Sequence, residues 1–408
     1  MSDNTKISFD IDMSERSGAD TIGVALPADE TNPANSGEGQ QILDAALRVC
    51  ETVLGPNAQV ADQADGPMPD NFKALADAGL LGLAIPRKYG GLDASGTIQR
   101  RYTEILSSYC GVTTFVQAQH HGSSRMIANG RDELLKDTLL PRLASGDRMC
   151  AISFAHLRRP GPPILRAERV AGGCRLYGTA PWVTGWGLMD QAVFGATLPD
   201  DRFLYVWTPA NRNDYPELFR GDQPDNGGWG AMEATAPLPL CTMNASATVA
   251  LHLDGWFIPE RHILSESDRA TMRNNDRNGV LGATAMPLGC AEAGLRILCD
   301  TAEKKKLFPI ERAANSFAAE LHELRGLLER WSEPGRTAQP DFFENAVQLR
   351  AWCIELALRT AHASITAVSG SANSLNHPAQ RLIRESMFYT VQAQTAEVMD
   401  ATLARLER

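Results

Sequence analysis

The sequence lacks a segment long enough to cross a membrane as a helix, and it lacks the spacings typical of metal sites. No apolar run approaches the roughly 20 residues that a spanning helix needs. The N-terminus has no basic segment followed by an apolar one, so no signal peptide is indicated. The eight cysteines form no CxxC pair, and the eight histidines form no HExxH motif. We therefore expect a cytoplasmic protein with reduced cysteine thiols and no resident metal.

Positive charge is also scarce. The 408 residues include 39 Lys and Arg against 49 Asp and Glu, which gives a net charge of −10 and a pI of about 5.4. Such a surface repels nucleic acids and anionic membranes, so we expect neither as a partner and look for a small-molecule substrate instead. The length fits two or three packed modules.

Changes in composition and apolar periodicity along the sequence indicate a leader and three ordered modules. Residues 1–38 are rich in Ser, Asp, Asn, Thr and Gly without periodicity, which predicts a flexible leader. Residues 39–147 show helical patterns, as in "QILDAALRVCETVL", and predict an N-terminal α-helical domain. Residues 148–265 carry short β-branched and aromatic runs such as "MCAISFA" and "ATVALHLDGWFIP", which predict a small antiparallel barrel or sandwich.

The last module, 275–408, has four apolar stripes that step by three and four residues, as in a four-helix bundle. The fourth of these predicted helices runs through Leu382, Ser386, Tyr389, Ala393 and Ala396. The predicted fold is thus mainly α with a central β module. Clefts between such modules are common ligand sites, but the pattern does not identify the ligand.

Five stretches, in order, resemble one known family. They are "LADAGLLGLAIPRKYGGLDAS", "MCAISFA", "GTAPWVTG", "ATAMPLGCAEAGLRILCDTAEKKKLF" and "HPAQRLIRESMFY". From about Gln40 to its end the chain is similar to the acyl-CoA dehydrogenase superfamily. The resemblance implies that superfamily's fold, with a flavin, FAD or FMN, between the β module and the bundle.

The resemblance also implies where the flavin ring would lie. Trp182 and Thr184 of "GTAPWVTG" would lie beside the isoalloxazine, and the backbone of Ile152 and Ser153 would approach its edge. A flavin is a flat apolar ring with a polar edge, so aromatic contact and hydrogen bonding both suit it.

The family positions for the flavin phosphates carry altered residues here. Ala155 stands where the family has Thr, and Lys305 stands where it has Arg. The family's GGxG reads "SGSA", in which Gly370 alone is kept. Pro160, Pro162 and Pro163 replace a Gly-Ser turn and lack N–H donors. Arg158 and Arg159 are the candidate substitutes for the lost phosphate contacts, and the alternative is that they lie in a solvated loop.

The family's catalytic carboxylate is missing from its usual place. The family has Glu-Gly-Thr where this chain has Ala393, Gln394 and Thr395, so Thr395 alone is kept and joins the expected cofactor contacts. Relatives that place the base before the first bundle helix would have it near Gly279. Asp276, three residues away, is either a displaced base or, as we favour, a loop acid.

Other side chains near the expected site are candidates for acid, base or orienting roles. His120 and His121 lie on a helix that borders the cleft in the family, and His156 lies in the loop after the first strand. For all three, the alternative is a packed structural histidine. Gln392 and Gln394 are able to orient a substrate by hydrogen bonds but not to deprotonate carbon.

These features favour a flavin-dependent oxidoreductase that acts on a small, non-CoA substrate, more as a monooxygenase than as an α,β-desaturase. Loss of the Glu motivates this hypothesis, and Val280 at the position of the family's acyl-CoA arginine agrees with it. A flavin reductase partner and a homodimer or homotetramer are expected. Two alternatives stay open: a flavin-free, redox-silent enzyme or binding scaffold, and an atypical acyl-CoA dehydrogenase.

Overall fold

The computed structural model describes residues 37–222, 224 and 227–407. The predicted leader, 1–38, therefore lies outside the described residues except for Gly37 and Glu38, which begin the first helix. The domain boundaries named above stay predictions.

The N-terminal part is helical, and its helices are set by apolar faces and by polar caps. Ser95 and Asp132 each precede a helix and accept a hydrogen bond from the backbone N–H three residues later. A π-helical turn, Cys50–Leu54, joins the first two helices. The described helices of this part are α1 (Gly37–Val49), α2 (Gly55–Gln63), α3 (Pro69–Asp77), α4 (Gly96–Ser107), α5 (Gly111–Ala128) and α6 (Glu133–Ser145).

The central part is one eight-stranded mixed sheet. Its strands are β1 (Ala151–Ser153), β2 (Leu165–Val170), β3 (Gly173–Val183), β4 (Gln191–Thr197), β5 (Phe203–Pro209), β6 (Ala231–Ala234), β7 (Val249–Pro259) and β8 (Ile263–Ser267). They follow the order β6-β7-β3-β2-β4-β5-β8, and β1 pairs with β4. The prediction of a purely antiparallel module was wrong, because β4 pairs in parallel with both β1 and β2. Every residue of β4 is buried, as its apolar sequence requires for a central strand.

The C-terminal part is a helical bundle preceded by a short helix. Its helices are α7 (Arg269–Asn278), α8 (Ala285–Lys305), α9 (Phe308–Trp331), α10 (Phe342–Val368), α11 (Pro378–Val391) and α12 (Ala396–Leu406). The prediction of the fourth bundle helix was wrong in one respect. The apolar spacing continues through Ala393, but the backbone breaks at 392–395 and divides the segment into α11 and α12.

A buried ionic contact joins the N-terminal helices to the bundle. Glu104 of α4 accepts a hydrogen bond from Nε of Arg325 of α9 at 2.6 Å, and Arg325 also binds Glu292 of α8. The Glu104 side chain is only 4% exposed. Nearby, the Ser107 hydroxyl donates to the backbone carbonyl of Met286 at 2.7 Å. These contacts fix the two helical layers against each other.

The predicted fold class, mainly helical with a central β module, is confirmed by this arrangement. Within the described ranges, no helix is both long enough and apolar enough to span a bilayer.

Removing the buried carboxylate of Glu104 should destabilise the protein. Glu104→Gln leaves the largely buried Arg325 guanidinium with a weaker partner at this position, so we expect the free energy of unfolding to fall by about 3 kcal/mol. Urea unfolding of the purified variant measures this. Glu333→Gln, which breaks an exposed pair with Arg336, is the control and should cost less than about 1 kcal/mol. Equal losses for the two variants would contradict the role given to Glu104.

Candidate active site

The turn between α11 and α12, residues 392–395, occupies the position where the resemblance places the catalytic carboxylate. Ala393 is exposed, and its φ is 47°, in the left-handed region that residues with a Cβ rarely adopt. Thr395 ends the turn, where its hydroxyl accepts a hydrogen bond from the backbone N–H of Val398 and begins α12. The side chain presented at position 393 is a methyl group, which cannot accept a proton.

Arg350 of α10 holds this turn. Its Nη2 donates to the backbone carbonyls of Gln392 at 2.7 Å and Ala393 at 2.9 Å. The residue is only 4% exposed, and burial lowers the pKa of its guanidinium to about 10. No sequence motif includes Arg350. The available signal was a charged residue within the apolar run "LRAWCIELAL" of a bundle helix.

The two glutamines of the turn make local contacts. Nε2 of Gln392 lies 3.3 Å from the sulfur of Met286, and Nε2 of Gln394 donates to the backbone carbonyl of Thr390 at 2.9 Å. The Gln394 side chain is exposed. The two residues flank Ala393 in the chain, and their amides are able to orient a ligand by hydrogen bonds, but neither is ionisable.

Arg158 and Asp276 form a bidentate ion pair that links the loop after β1 to α7. Nε and Nη2 of Arg158 donate to the two carboxylate oxygens of Asp276 at 2.8 and 2.6 Å. The guanidinium also lies over the ring of Phe154. The predicted phosphate ligand and the candidate displaced base are therefore paired with each other. Asp276 lies in the last turn of α7 and not in a loop.

The expected flavin-ring contacts lie on β1 and at the end of β3. Ile152 and Ser153 are in β1, which runs parallel to β4. Trp182 is 43% exposed although its indole is large and apolar. The Thr184 hydroxyl is buried and hydrogen-bonds to that of Thr248 at 3.0 Å. An exposed indole beside a buried polar strand end suits a flat ring, so these residues fit that part of a flavin.

The residues expected to contact the flavin phosphates fit that role less well than the ring contacts fit theirs. Nζ of Lys305 donates to the backbone carbonyls of Ala367 at 2.7 Å and Val368 at 3.2 Å, so it caps the C-terminal end of α10. Ala155 begins a short 3-10 turn, Ala155–Arg158, and a Cβ added at Gly370 would meet no atom within 4 Å. Since Arg158 and Lys305 both have partners within the chain, a phosphate would have to compete for them.

The helix α5 histidines are buried. Nδ1 of His120 accepts from the backbone N–H of Cys150, so Nε2 carries the proton and donates to the carbonyl of Leu81. Nε2 of His121 contacts the carbonyl of Leu80 at 3.3 Å. Burial lowers the pKa of His120 to about 4 and that of His121 to about 3. Both side chains are therefore neutral at pH 7 and join α5 to the segment after α3.

His156 is buried under the sheet. Its Nε2 donates to the backbone carbonyl of Gly195 at 2.8 Å, and burial lowers its pKa. Its Nδ1 has no hydrogen-bond partner among the described residues. The side chain thus anchors the loop after β1 to β4.

A separate cleft of about 320 Å³ lies where α3 and α6 meet the start of β1. None of the expected site residues lines it. Its charged rim is neutralised by ion pairs, including Arg148 with Asp190 and Lys73 with Asp77. In the part of the chain that the structure describes, no group of three or more His, Cys, Asp or Glu side chains is placed to hold a metal ion.

Comparison with known proteins agrees with this architecture. Residues 36–147 match the family model of the acyl-CoA dehydrogenase N-terminal domain. The benzylmalonyl-CoA dehydrogenase of Aromatoleum aromaticum is 23% identical over 396 residues, which cover 90% of this chain and 97% of that protein.

Solved structures show the same fold. The butyryl-CoA dehydrogenase of Megasphaera elsdenii superposes with a TM-score of 0.73 at 17% identity, covering 91% of this chain and 99% of its own. A dibenzothiophene monooxygenase from a Paenibacillus species superposes with a TM-score of 0.71 at 14% identity, covering 90% and 97%. The protein thus has the three-part fold of the acyl-CoA dehydrogenases. Over residues 36–147 the chain matches the acyl-CoA dehydrogenase N-terminal domain, and over its described length it shares the fold of the acyl-CoA dehydrogenases, as its five motifs predicted.

The buried α5 histidines predict a specific loss of stability in acid. Because their folded-state pKa values lie below the ordinary value near 6.5, the unfolded state binds more protons as pH falls from about 6.5 toward 4. Above that pH window the free energy of unfolding should keep the full contribution of the neutral histidines. Within the window it should fall by up to about 1.4 kcal/mol per pH unit for each histidine.

Urea unfolding at a series of pH values checks this expectation. His120→Gln should flatten the dependence between pH 6.5 and 4, whereas His322→Gln, at an exposed position on α9, should not. An unchanged slope in His120→Gln would show that this histidine is not held neutral by burial.

Proposed function

We propose that this chain is a flavin-dependent oxidoreductase that does not remove a carbon-bound proton with a carboxylate on the α11–α12 turn. The observation that carries the proposal is the methyl group of Ala393, on a turn whose carbonyls are held by Arg350. General-base removal of an α-proton needs a group that accepts the proton within hydrogen-bond reach. Position 393 offers none.

The nearest candidate for a displaced base does not replace it. Asp276 is close enough to Arg350 to affect the pKa of that guanidinium, but both of its carboxylate oxygens accept from Arg158. A base in this position would first have to leave a bidentate, charge-assisted pair. This supports chemistry that does not depend on a carbon base.

The cofactor is proposed to be FAD, as in the family, with FMN as the alternative. When bound, a flavin supplies the transfer of hydride or single electrons. Trp182 and Thr184 would hold its ring, and the backbone of Ile152 and Ser153 would approach its edge. Gln392 would orient a substrate beside Ala393.

A small substrate that is not a CoA ester is favoured by the same region. Val280, at the position of the family's acyl-CoA arginine, is apolar and 4% exposed. Monooxygenation fits better than α,β-desaturation, because it needs an enclosed site and no carbon base. The fold shared with a dibenzothiophene monooxygenase supports this choice, and such a reaction would take its electrons from a flavin reductase.

A homo-oligomer is also proposed. Leu307 and Phe308 are 52% and 69% exposed at the turn between α8 and α9, and Leu403 of α12 is 53% exposed. Large apolar side chains on a bundle surface support an interface between copies of the chain.

A flavin-free binding scaffold is the second candidate. The residues at the positions expected to bind the flavin phosphates support it. Arg158 and Lys305 are engaged within the chain, and three prolines replace a turn that would offer N–H groups. The loss of such contacts weakens the binding of a dinucleotide, at about 1–3 kcal/mol for each charged contact.

The absorbance spectrum of the purified protein separates the two candidates. We expect flavin bands near about 370 and 450 nm, no bleaching by butyryl-CoA without oxygen, and oxygen-dependent turnover with supplied reduced flavin. A protein that stays colourless after soaking with FAD and FMN would favour the scaffold. Rapid bleaching by butyryl-CoA would instead indicate an atypical acyl-CoA dehydrogenase.

Replacing the exposed indole tests the ring site directly. Trp182→Ala removes aromatic contact without opening the core, so flavin should bind about tenfold more weakly, from a loss of roughly 1.4 kcal/mol. Fluorescence titration of FAD measures the change. Val60→Ala, which trims an exposed apolar side chain of α2, should leave the affinity unchanged. Equal affinities for Trp182→Ala and the unaltered protein would remove Trp182 from the site.

A further inference from the structure

Four charged side chains lie on three elements that pack near the α11–α12 turn, and we call them the arginine cluster. They are Arg158 of the loop after β1, Asp276 and Arg277 of α7, and Arg350 of α10. Burial is the largest influence on the pKa of Arg350, and Arg158 and Asp276 are both close enough to affect it. Arg158, Asp276 and Arg350 are therefore close together, and Arg277 follows Asp276 in the chain, so the cluster holds three guanidinium groups and a single carboxylate.

Arg350 has hydrogen-bonding capacity that the chain does not use. Nη2 binds the two turn carbonyls, but Nε is buried and has no partner among the described residues. No described group accepts from Nη1 either, and no described carboxylate lies within 4 Å of the guanidinium. A buried guanidinium with unused donors and no anion is costly, because its charge has left water without a compensating partner.

Arg277 is the second cation of the cluster without a carboxylate partner in the described ranges. Its guanidinium lies over the ring of Phe343, 3.9 Å from the centroid. Phe343 and Arg350 are seven residues apart on α10, so they lie on the same helix face, two turns apart. The stacked contact holds Arg277 toward α10, on the side of that helix where Arg350 lies.

The charges of the arginine cluster do not balance one another. Asp276 is already bound by Arg158, so Arg277 and Arg350 leave a surplus of two positive charges. A carboxylate offers two oxygens that match the fork of an arginine, and it would satisfy the unused donors of Arg350.

We propose that the arginine cluster binds the carboxylate of a small acidic substrate next to Ala393. The inference deepens the proposed function, since it assigns a substrate class to the same site. The substrate would be anchored by its acid group at Arg350 and Arg277, with the rest of the molecule extending past the 392–395 turn. Arg350 and Arg277 would then be binding residues, and Arg158 would position α7 through Asp276.

The test uses the full-length protein as purified and sodium benzoate as the probe. Calorimetric titration should give saturable benzoate binding, with a matching rise in thermal midpoint, and neither benzamide nor sodium chloride at equal ionic strength should reproduce it. Inorganic phosphate is titrated in parallel. Saturable phosphate binding without benzoate binding would overturn the carboxylate assignment and indicate a phosphate group of a cofactor or of a CoA ester instead.

Matched variants identify the residues. Arg350→Lys keeps a charge able to reach the turn carbonyls but removes the fork, so benzoate should bind about tenfold more weakly. Arg277→Gln should weaken binding by a similar factor, whereas Arg48→Gln, at an exposed position of α1, should not. Unaltered benzoate affinity in Arg277→Gln and Arg350→Lys would overturn the proposal. If Arg350→Lys does not fold, Arg277→Gln alone decides.

Flavin content, measured on the same samples, keeps this inference separate from the proposed function. Flavin bands without benzoate binding would reject the carboxylate site and leave the oxidoreductase standing. Benzoate binding by a colourless protein would retain the site and reject the oxidoreductase.

Discussion

The hydrogen bonds from Arg350 to the carbonyls of Gln392 and Ala393 decide the shape of the region on which any function depends. They lie where α11 ends, and the last carbonyls of a helix lack partners within it and carry partial negative charge. A buried cation donates hydrogen bonds to these carbonyls and also offsets their partial negative charge. The left-handed backbone at Ala393 persists because its carbonyl is fixed in this way. Arg350 of α10 therefore stabilises the break between α11 and α12.

Cations elsewhere near the site also bind within the chain. Lys305 binds the last carbonyls of α10, and Arg158 binds Asp276. Both stand where the resemblance leads one to expect phosphate contacts. The fold has been kept while its charges have been redirected to internal partners. Arg350 and Arg277 are different, because the chain supplies no carboxylate within reach of either among the described residues.

The sequence predicted the order of modules and most of the helices, because apolar spacing reports which face of a helix is buried. It failed at the α11–α12 break, because the spacing from Tyr389 through Ala393 to Ala396 continues across the turn. It also failed for the parallel pairs of β4, because such pairing joins strands distant in sequence.

The site was harder to predict than the fold. The motifs assign expected roles to Ala393, Trp182 and Thr184, because those positions are read directly from local sequence, and these roles stay predictions. They gave no hint that Arg158 would pair with Asp276, 118 residues away, or that Arg350 would cap the turn. The burial of His120 and His121 likewise depends on contacts with residues near Leu80, which no local pattern encodes.

A shared fold leaves the reaction open, because function depends on a few side chains grafted onto the fold. In this chain position 393 carries a methyl group, so that position offers no acceptor for a proton removed from carbon. The guanidinium of Arg350, which binds the carbonyl of Ala393, carries a positive charge, whereas a carboxylate at position 393 would carry a negative one. A site with cations that lack a carboxylate partner among the described residues is suited to hold an acidic ligand and to stabilise negative charge on it.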